Sequence, residues 1–258
     1  MTKRETSFDK GLQILRLLAQ SRDGIRISDI SATLGYPEST VVRLLQTLKD
    51  FDLASQDRPR GPYALSYGVL DLAGHMLDGM ELRQVARPFL HDLAARTTMA
   101  AYLKIPSITS VVTVDAAIPP RAWVPDFEIG RRYPMHRSSL GQAMLAARGD
   151  AAIREYLQAV DASENGEEPL EDVARFLRQV KRAQERGYAV NQTGPGGQDS
   201  VAAAIRRFDG EVVGAVGVGF RHDSGVIGTP VEQQVSHEVV TTARSISFAV
   251  GYRADRLI

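Results

Sequence analysis

The stretch Ile27–Leu53, ISDISATLGYPESTVVRLLQTLKDFDL, decides the fold of the N-terminal part of the chain. It holds two short amphipathic helical patterns, and a turn at Gly35 and Pro37 separates them, since glycine ends helices and proline begins them. In the second pattern, apolar residues recur at the i, i+3, i+4, i+7 spacing of a helix that packs on one side; they are Val41, Leu44, Leu45, Leu48 and Phe51. The other side is polar, as in the second helix of a helix–turn–helix, which offers hydrogen-bonding side chains to base edges. Plain helical bundles contain the same pattern, so it leaves both structures open.

The segments that flank this stretch favour a winged helix–turn–helix. Ser7–Ala19 predicts a first helix whose apolar stripe covers the other two; the stripe comprises Phe8, Leu12, Leu15 and Leu18 or Ala19. Leu53–Gln56 and Pro62–Leu65 predict two short strands around a turn that carries two arginines. A hairpin in this position is a wing, which lies along the phosphate backbone. Arg43 is the best candidate for a base contact, because arginine pairs with guanine. The predicted DNA-binding residues are Ser39, Thr40, Arg43, Gln46, Thr47, Arg58 and Arg60.

Three blocks of sequence, in order along nearly the whole chain, resemble the IclR family of bacterial transcription regulators. SFDKGLQILRLLA (7–19) and PESTVVRLLQTLKDFDLA (37–54) are similar to its winged-helix domain. IGRRYPMHRSSLGQAMLA (129–146) is similar to its effector-domain signature, and ERGYAVNQ (185–192), VAAAI (201–205) and GEVVGAVGVG (210–219) to its C-terminal half. The resemblance implies a homodimer or a dimer of dimers that binds double-stranded operator DNA and a small organic acid effector.

The composition is that of a globular protein and excludes several classes. The 258 residues are 43% hydrophobic and 24% charged, and no apolar run is long enough for a membrane span. Cysteine is absent, which excludes disulfides and thiolate chemistry and fits a cytoplasmic protein. The five histidines show no metal-ligand spacing, so we predict neither a metal site nor a cofactor. The net charge of zero means that a DNA complex would depend on geometry and dimerisation more than on bulk charge.

The predicted organisation has three parts: a winged helix–turn–helix domain at 1–66, a linker and dimerisation helix at 67–80, and an effector domain at 81–258. The middle segment has apolar residues at helical spacing, so it could pack on its own domain or on a partner subunit; the resemblance favours the partner. In the third part, a helix over 82–93 should kink or end at Pro88. Strands are predicted at 99–105, 110–115, 121–124, 188–191, 201–208 and 212–220, with helices at 139–147, 151–160, 170–186 and from 229 onward. This mixture predicts an α+β domain, an antiparallel sheet flanked by helices, and the resemblance implies a GAF-like one.

Two features of the third part predict a small-molecule site. The segment His136–Gly141 enters a helix, whose first N–H groups suit a carboxylate. Gly214, Gly217 and Gly219 would leave one side of a strand bare for a ligand, although close packing of the last helix explains them equally well. The resemblance points to Ser139, Leu140, Asn191, Val201, Gly217 and Gly219. The predicted effector-binding residues are Trp123, His136, Ser138, Ser139, Leu140, Gly141, Asn191, Val201, Gly217 and Gly219.

The resemblance also bears on the size of the effector. Asn191 stands where the family has an acid, and Gly217 and Gly219 stand where it has small hydroxyl residues. We therefore predict a roomier, less polar pocket and an aromatic or longer organic acid, larger than pyruvate. Trp123 could form an apolar wall of that pocket or simply belong to the core.

Two other classes of protein remain as alternatives to a DNA-binding regulator. An enzyme is disfavoured because the chain has no GxSxG elbow, P-loop, HExxH or cysteine nucleophile, and because the Ser138–His136 pair has no evident acidic partner. The second rival is a small-molecule sensor whose winged helix binds protein. Binding to DNA in a mobility-shift experiment separates the two.

Overall fold

The computed structural model describes residues 5–124, 128–161, 170–192 and 197–253. The chain divides into two units, Met1–Gly79 and Met80–Ile258. Each unit has its own hydrophobic core, so each is described by itself.

Three helices form the body of the first unit: α1 at Ser7–Ala19, α2 at Ile27–Leu34 and α3 at Glu38–Asp50. A capping box between Thr6 and Asp9 begins α1. Gly35 ends α2 in the left-handed conformation, with φ of 70°, which glycine adopts without steric cost. The turn of the predicted helix–turn–helix therefore lies where the sequence places it.

The core of the first unit uses only part of the predicted stripe of α1, namely Leu18, together with Ile14. Ile14 and Leu18 are fully buried, whereas Phe8 and Leu12 are 74% and 45% exposed. Seven of the 13 residues of α1 are apolar, so the spacing allowed two stripes, and packing against α2 and α3 selected the one through Ile14. Phe51, also predicted to pack, is 73% exposed because α3 ends at Asp50 and Phe51 caps it outside the helical period.

A short hairpin follows α3. Strands β1 at Ala54–Ser55 and β2 at Ala64–Leu65 pair antiparallel, and Tyr63 forms an additional bridge with Ile25, before α2. The strands are shorter than predicted because only these residues pair, but their order after three helices is that of a winged helix. Helix α4, at Gly68–Asp78, completes the unit and contains no buried residue.

The second unit is built on a six-stranded sheet in the order β5-β4-β3-β8-β7-β6, and every neighbouring pair is antiparallel. The strands are β3 at Ala100–Ser107, β4 at Ser110–Ala117, β5 at Arg132–Pro134, β6 at Ala189–Asn191, β7 at Gln198–Arg206 and β8 at Val212–Arg221. The helices are α5 at Glu81–Thr97, α6 at Ser139–Arg148, α7 at Asp150–Asp161, α8 at Val173–Arg186 and α9 at Pro230–Ala249; 3₁₀ turns at Met135–Arg137 and His222–Ser224 precede α6 and α9.

Helices cover both faces of this sheet. Helix α6 packs on the face that carries Tyr102, Ser200 and Ala202, which we call the α6 face. Because side chains alternate along a strand, the intervening residues, among them Leu103 and Val201, point to the other face, against which α5 and α9 pack. We call this the α9 face.

One local prediction for this unit was wrong, and one of the two alternatives in another is excluded. Helix α5 does not end at Pro88, since apolar packing by Ala86, Leu90 and Leu93 holds the helix on both sides of it. Residues 121–124 form no strand, because Arg121 is left-handed (φ of 67°) after two prolines; Trp123 therefore lies on an irregular segment. The strand that follows β4 in the sheet is β5 instead, at one edge.

Candidate DNA-binding and effector sites

The polar face of α3 is open to solvent. Ser39, Arg43, Gln46 and Thr47 are exposed, and Thr40 is half-buried. Val41, Leu44 and Leu45 on the opposite side are buried, and they hold the helix in the unit with its polar residues outward. The five residues predicted on α3 therefore share one accessible face.

The polar side chains of this face differ in the hydrogen bonds and ion pairs that they form. The Gln46 amide donates to the Asp50 carboxylate at 2.8 Å, and the Thr47 hydroxyl donates to the Arg43 carbonyl at 3.2 Å. Among the residues that the structure describes, the Arg43 guanidinium has neither an ion pair nor a hydrogen bond. It can turn toward a base edge without breaking an internal contact, whereas Gln46 must first leave Asp50.

The tip of the hairpin presents both predicted arginines, Arg58 and Arg60, to solvent. The Gly61 amide donates to the Arg58 carbonyl at 2.9 Å, and Arg60 adopts a left-handed conformation with φ of 60°. The Gln56 amide donates to the Gly61 carbonyl at 2.9 Å and holds the tip. This turn fixes the backbone between the two arginines while their side chains remain exposed.

The start of α6 lies against the sheet. The Ser139 hydroxyl is fully buried and donates to the Ser200 hydroxyl at 2.8 Å, and Leu140 belongs to the core on this face. A Cβ on Gly141 would lie 2.5 Å from the Met135 Cα, so this glycine is required by close packing of the two backbones. Ser138 caps the helix without a side-chain bond to it.

His136 and Asn191 hold the segment before α6 in place. The His136 ring lies 2.6 Å from the Tyr156 hydroxyl through Nδ1 and packs edge-on against Phe176, so it belongs to the core under α7 and α8. The Asn191 amide donates to the Arg137 carbonyl at 3.0 Å. Both contacts hold the backbone in place, and the pairing of Asn191 with Ser200 puts Asn191 on the α6 face.

The predicted glycines do not share one bare side of β8. Gly217 and Gly219 lie on the α6 face, but Gly214 points to the other face, where a Cβ would lie 3.1 Å from Leu82. A Cβ on Gly219 would lie 3.1 Å from the Tyr102 ring and would overlap the Gln198 amide. Side chains of neighbouring strands therefore already occupy the space above Gly219.

Two predicted effector residues are not brought to the α6 face. Strand alternation places the Val201 side chain on the α9 face, because Ser200 and Ala202 on either side of it point to α6. Trp123 lies on the irregular segment after β4 and is 36% exposed. The members of the predicted set on the α6 face are Ser139, Leu140, Asn191, Gly217 and Gly219.

Sequence reasoning missed a polar cluster on the same face. Lys104 is only 9% exposed, and its ammonium lies 3.8 Å from the centre of the Tyr133 ring. Thr113 lies directly opposite Lys104 on β4 and is 1% exposed. Burial, and then the charge of Arg131, lowers the pKa of Lys104 to about 8. Tyr102, which is two residues before Lys104 on β3, has its pKa raised by burial and therefore remains a hydroxyl donor.

A surface depression of about 340 Å³ lies elsewhere, at the start of α5, and is lined in part by Arg83, Arg207 and Glu211. Arg83 lies 3.4 Å from the Asp115 carboxylate, and Arg207 forms an ion pair with Glu211 at 2.5 Å. The charges around this depression are thus satisfied within the chain, unlike Lys104.

The described residues offer neither a metal cluster nor a membrane-spanning helix. These residues contain no group of three or more His, Cys, Asp or Glu side chains that could hold a metal ion. No helix within the described ranges combines the length and the apolar character needed to cross a bilayer.

Comparison with known proteins gives matches to both units. The family model "IclR helix-turn-helix domain" matches residues 7–58, and "Bacterial transcriptional regulator IclR C-terminal" matches residues 74–248. The HTH-type transcriptional repressor AllR of Escherichia coli (strain K12) is 27% identical over 255 residues, which cover 96% of this chain and 91% of that protein.

Solved structures share the fold. The chain is similar to an IclR transcriptional regulator from Alicyclobacillus acidocaldarius, with a TM-score of 0.75, 23% identity and coverage of 96% of this chain and 100% of the other. It is also similar to an IclR homolog from Microbacterium hydrocarbonoxydans in complex with 4-hydroxybenzoate, with a TM-score of 0.74, 20% identity and coverage of 95% and 99%. The predicted fold class is confirmed, as is the prediction of a regulator rather than an enzyme, since the curated relatives are named as regulators. The chain belongs to the IclR family of bacterial transcriptional regulators.

Proposed function

We propose that this regulator reads operator DNA with the polar face of α3 and changes its affinity for that DNA when a small organic acid binds in the second unit. The observation that carries the proposal is the exposed polar face of α3 beside a two-arginine hairpin, with the Arg43 guanidinium unengaged among the described residues. A recognition helix needs such a face to reach base edges, and a wing needs cations to reach phosphates.

The carboxylates near α3 do not neutralise Arg43, Arg58 and Arg60 evenly along its surface. Asp50 accepts from Gln46, and Asp52 accepts from the Ser66 hydroxyl at 2.5 Å, so both are held by neutral donors near the C-terminal end of α3. Glu38 lies in the first turn, where it stabilises the helix dipole. The arrangement supports a local basic face on a chain of zero net charge.

We further propose that the chain acts as a homodimer or a dimer of dimers and that α4 is its linker and dimerisation helix. Helix α4 exposes Leu70, Leu72 and Met76 at 66%, 64% and 58%. An apolar helix surface of this kind is unfavourable in water and favours burial by a second copy. A dimer also holds two DNA-binding domains together, which matches operators whose half-sites lie about one helical turn apart.

For the effector, we propose an aromatic or longer organic acid. The α6 face presents the Tyr102 and Tyr133 rings beside the cationic Lys104, which together suit a ligand with an apolar body and an anionic end. A protein of the same fold was crystallised with 4-hydroxybenzoate, so this fold can hold an aromatic acid. A protein that acts on genomic DNA in this way would work in the cytoplasm.

The direct experiment is a mobility shift of the full chain with DNA from upstream of its own gene. We expect a complex that survives an excess of unrelated duplex. A chain that binds unrelated DNA equally well, or binds none, would favour the alternative of a sensor that acts through protein contacts.

The wing arginines are expected to contribute through phosphates. Replacing Arg58 or Arg60 with alanine should weaken binding to specific and unrelated duplexes alike, and each change should lower the slope of log K against log salt by roughly 0.9. Anisotropy titrations at several salt concentrations measure this slope. A change in sequence preference with an unchanged slope would mean that these residues contact bases instead.

A further inference from the structure

The buried charged side chains of the second unit have different neighbours on the two faces of the sheet. On the α9 face, the Asp115 carboxylate lies 3.4 Å from Arg83, and the Asp199 carboxylate lies 3.0 Å from His222. Asp115 therefore lies beside an arginine and Asp199 beside an imidazole. On the α6 face, Lys104 is equally buried, yet no described carboxylate lies within 4.0 Å of its ammonium.

A buried cation without an anion is unfavourable, because burial removes its hydration. The Tyr133 ring compensates in part, since its face attracts the ammonium at 3.8 Å. The Arg131 guanidinium has the opposite effect, because it lies 5.3 Å from the centre of the same ring and repels the Lys104 ammonium. The described residues therefore provide no anionic partner for the Lys104 ammonium.

Thr113 provides a second and independent observation. Its hydroxyl is buried and has no hydrogen-bond partner among the described residues. Thr113 and Lys104 are directly paired across β3 and β4, so their side chains leave the sheet side by side on the α6 face, with Cβ atoms about 5 Å apart. An ammonium and a hydroxyl in this arrangement form two adjacent donors for one anionic group.

We propose that Lys104 and Thr113 together bind the carboxylate of the effector, and that the body of the acid lies along the Tyr102 and Tyr133 rings of the α6 face. The inference rests on the proposed function and deepens it by naming the anchor, which differs from the helix start predicted from the sequence. One anchoring cation selects a monocarboxylate, and the rings favour an apolar or aromatic body. The amide or alcohol that corresponds to such an acid lacks the charge that Lys104 requires.

The test measures binding without DNA. The full-length wild-type chain is titrated by calorimetry with glyoxylate, pyruvate, benzoate, 4-hydroxybenzoate and phenylacetate, and with 4-hydroxybenzamide as the neutral match. We expect at least one aromatic acid to bind and the amide not to bind. Lys104→Met should lower the affinity for that acid at least about thirtyfold. Thr113→Val should lower it about threefold to tenfold. Lys181→Met, which removes an exposed lysine of α8, is the matched control and should leave the affinity unchanged.

The pH dependence gives a further readout. Among the described residues, the titratable and charged groups that face Lys104 are Tyr102, Tyr133 and Arg131, and the buried part of α6 contributes no ionisable side chain. Because the pKa of Lys104 is about 8 in the free chain and a carboxylate raises it, affinity should be constant below pH 7.5 and fall up to tenfold per pH unit above pH 8. Lys104→Met should show no such fall.

The outcomes separate this inference from the proposed function. Unchanged affinity in Lys104→Met, equal binding of the amide, or no binding of any acid of the panel would overturn the Lys104 anchor. Failure of the wild-type chain to bind operator DNA would overturn the regulatory proposal instead, and would leave the calorimetric result standing.

Discussion

Replacing Lys104 with methionine is expected to stabilise the second unit by about 1–3 kcal/mol at pH 7 while it weakens binding of the acid at least about thirtyfold. The folded chain holds the pKa of Lys104 near 8, against 10.5 for a free lysine. That difference corresponds to a cost of about 3 kcal/mol for the charged form. Loss of the contact with the Tyr133 ring offsets part of the gain. Methionine fills nearly the same volume without a charge.

The dependence of the free energy of unfolding on pH tests the sign of this effect. Below pH 8 both the folded and unfolded chains carry the proton, so the full cost of the buried charge is present in the wild type. Between pH 8 and 10.5 the unfolded chain binds more protons, so wild-type stability should rise with pH and approach that of the variant. Urea unfolding followed by fluorescence reports the second unit alone, because Trp123 is the single tryptophan of the chain. A variant less stable than the wild type at pH 7 would show that Lys104 contributes to folding rather than to ligand binding.

Arg43→Ala is expected to lower operator affinity about tenfold to a hundredfold without affecting folding. The guanidinium is exposed on α3, and a bidentate contact to guanine discriminates by roughly 1–3 kcal/mol. Affinity for unrelated duplex should change much less, because a base contact contributes little to non-specific binding. Anisotropy titrations with both duplexes measure the ratio of the affinity for operator to the affinity for unrelated DNA. Circular dichroism verifies the fold.

Arg16→Ala is the matched control for this substitution. Arg16 is an exposed arginine in the last turn of α1, so its removal changes the net charge by the same amount away from the α3 face. An equal loss of affinity in both variants would show that total charge, and not the geometry of α3, determines binding.

The first unit was predictable from sequence because its signals are local. The glycine turn, the amphipathic period of α3 and the two-arginine tip each depend on neighbouring residues, and each lies where the pattern places it. The apolar side of α1 was not predictable, since Phe8 and Ile14 both fit a helical period and only tertiary packing distinguishes them.

The candidate effector site was predictable only in part. Motif positions located Ser139 and Gly217 on the α6 face, but the same approach selected Val201, which strand alternation turns to the other face. Lys104 was overlooked because a lysine within a strand usually marks a solvent-facing side. The burial of that side depends on α6, which joins the sheet from 35 residues further along the chain.

Control of the DNA-binding face by the acid-binding site is tested most directly by measuring how each ligand changes the affinity for the other. The acid of the panel that binds most tightly is titrated into the full chain with and without saturating operator, and operator is titrated with and without saturating acid. We expect both affinities to change by the same factor, within the range of about 5 to 150 that is typical of coupled sites. An operator affinity that is identical with and without the bound acid would contradict the claim.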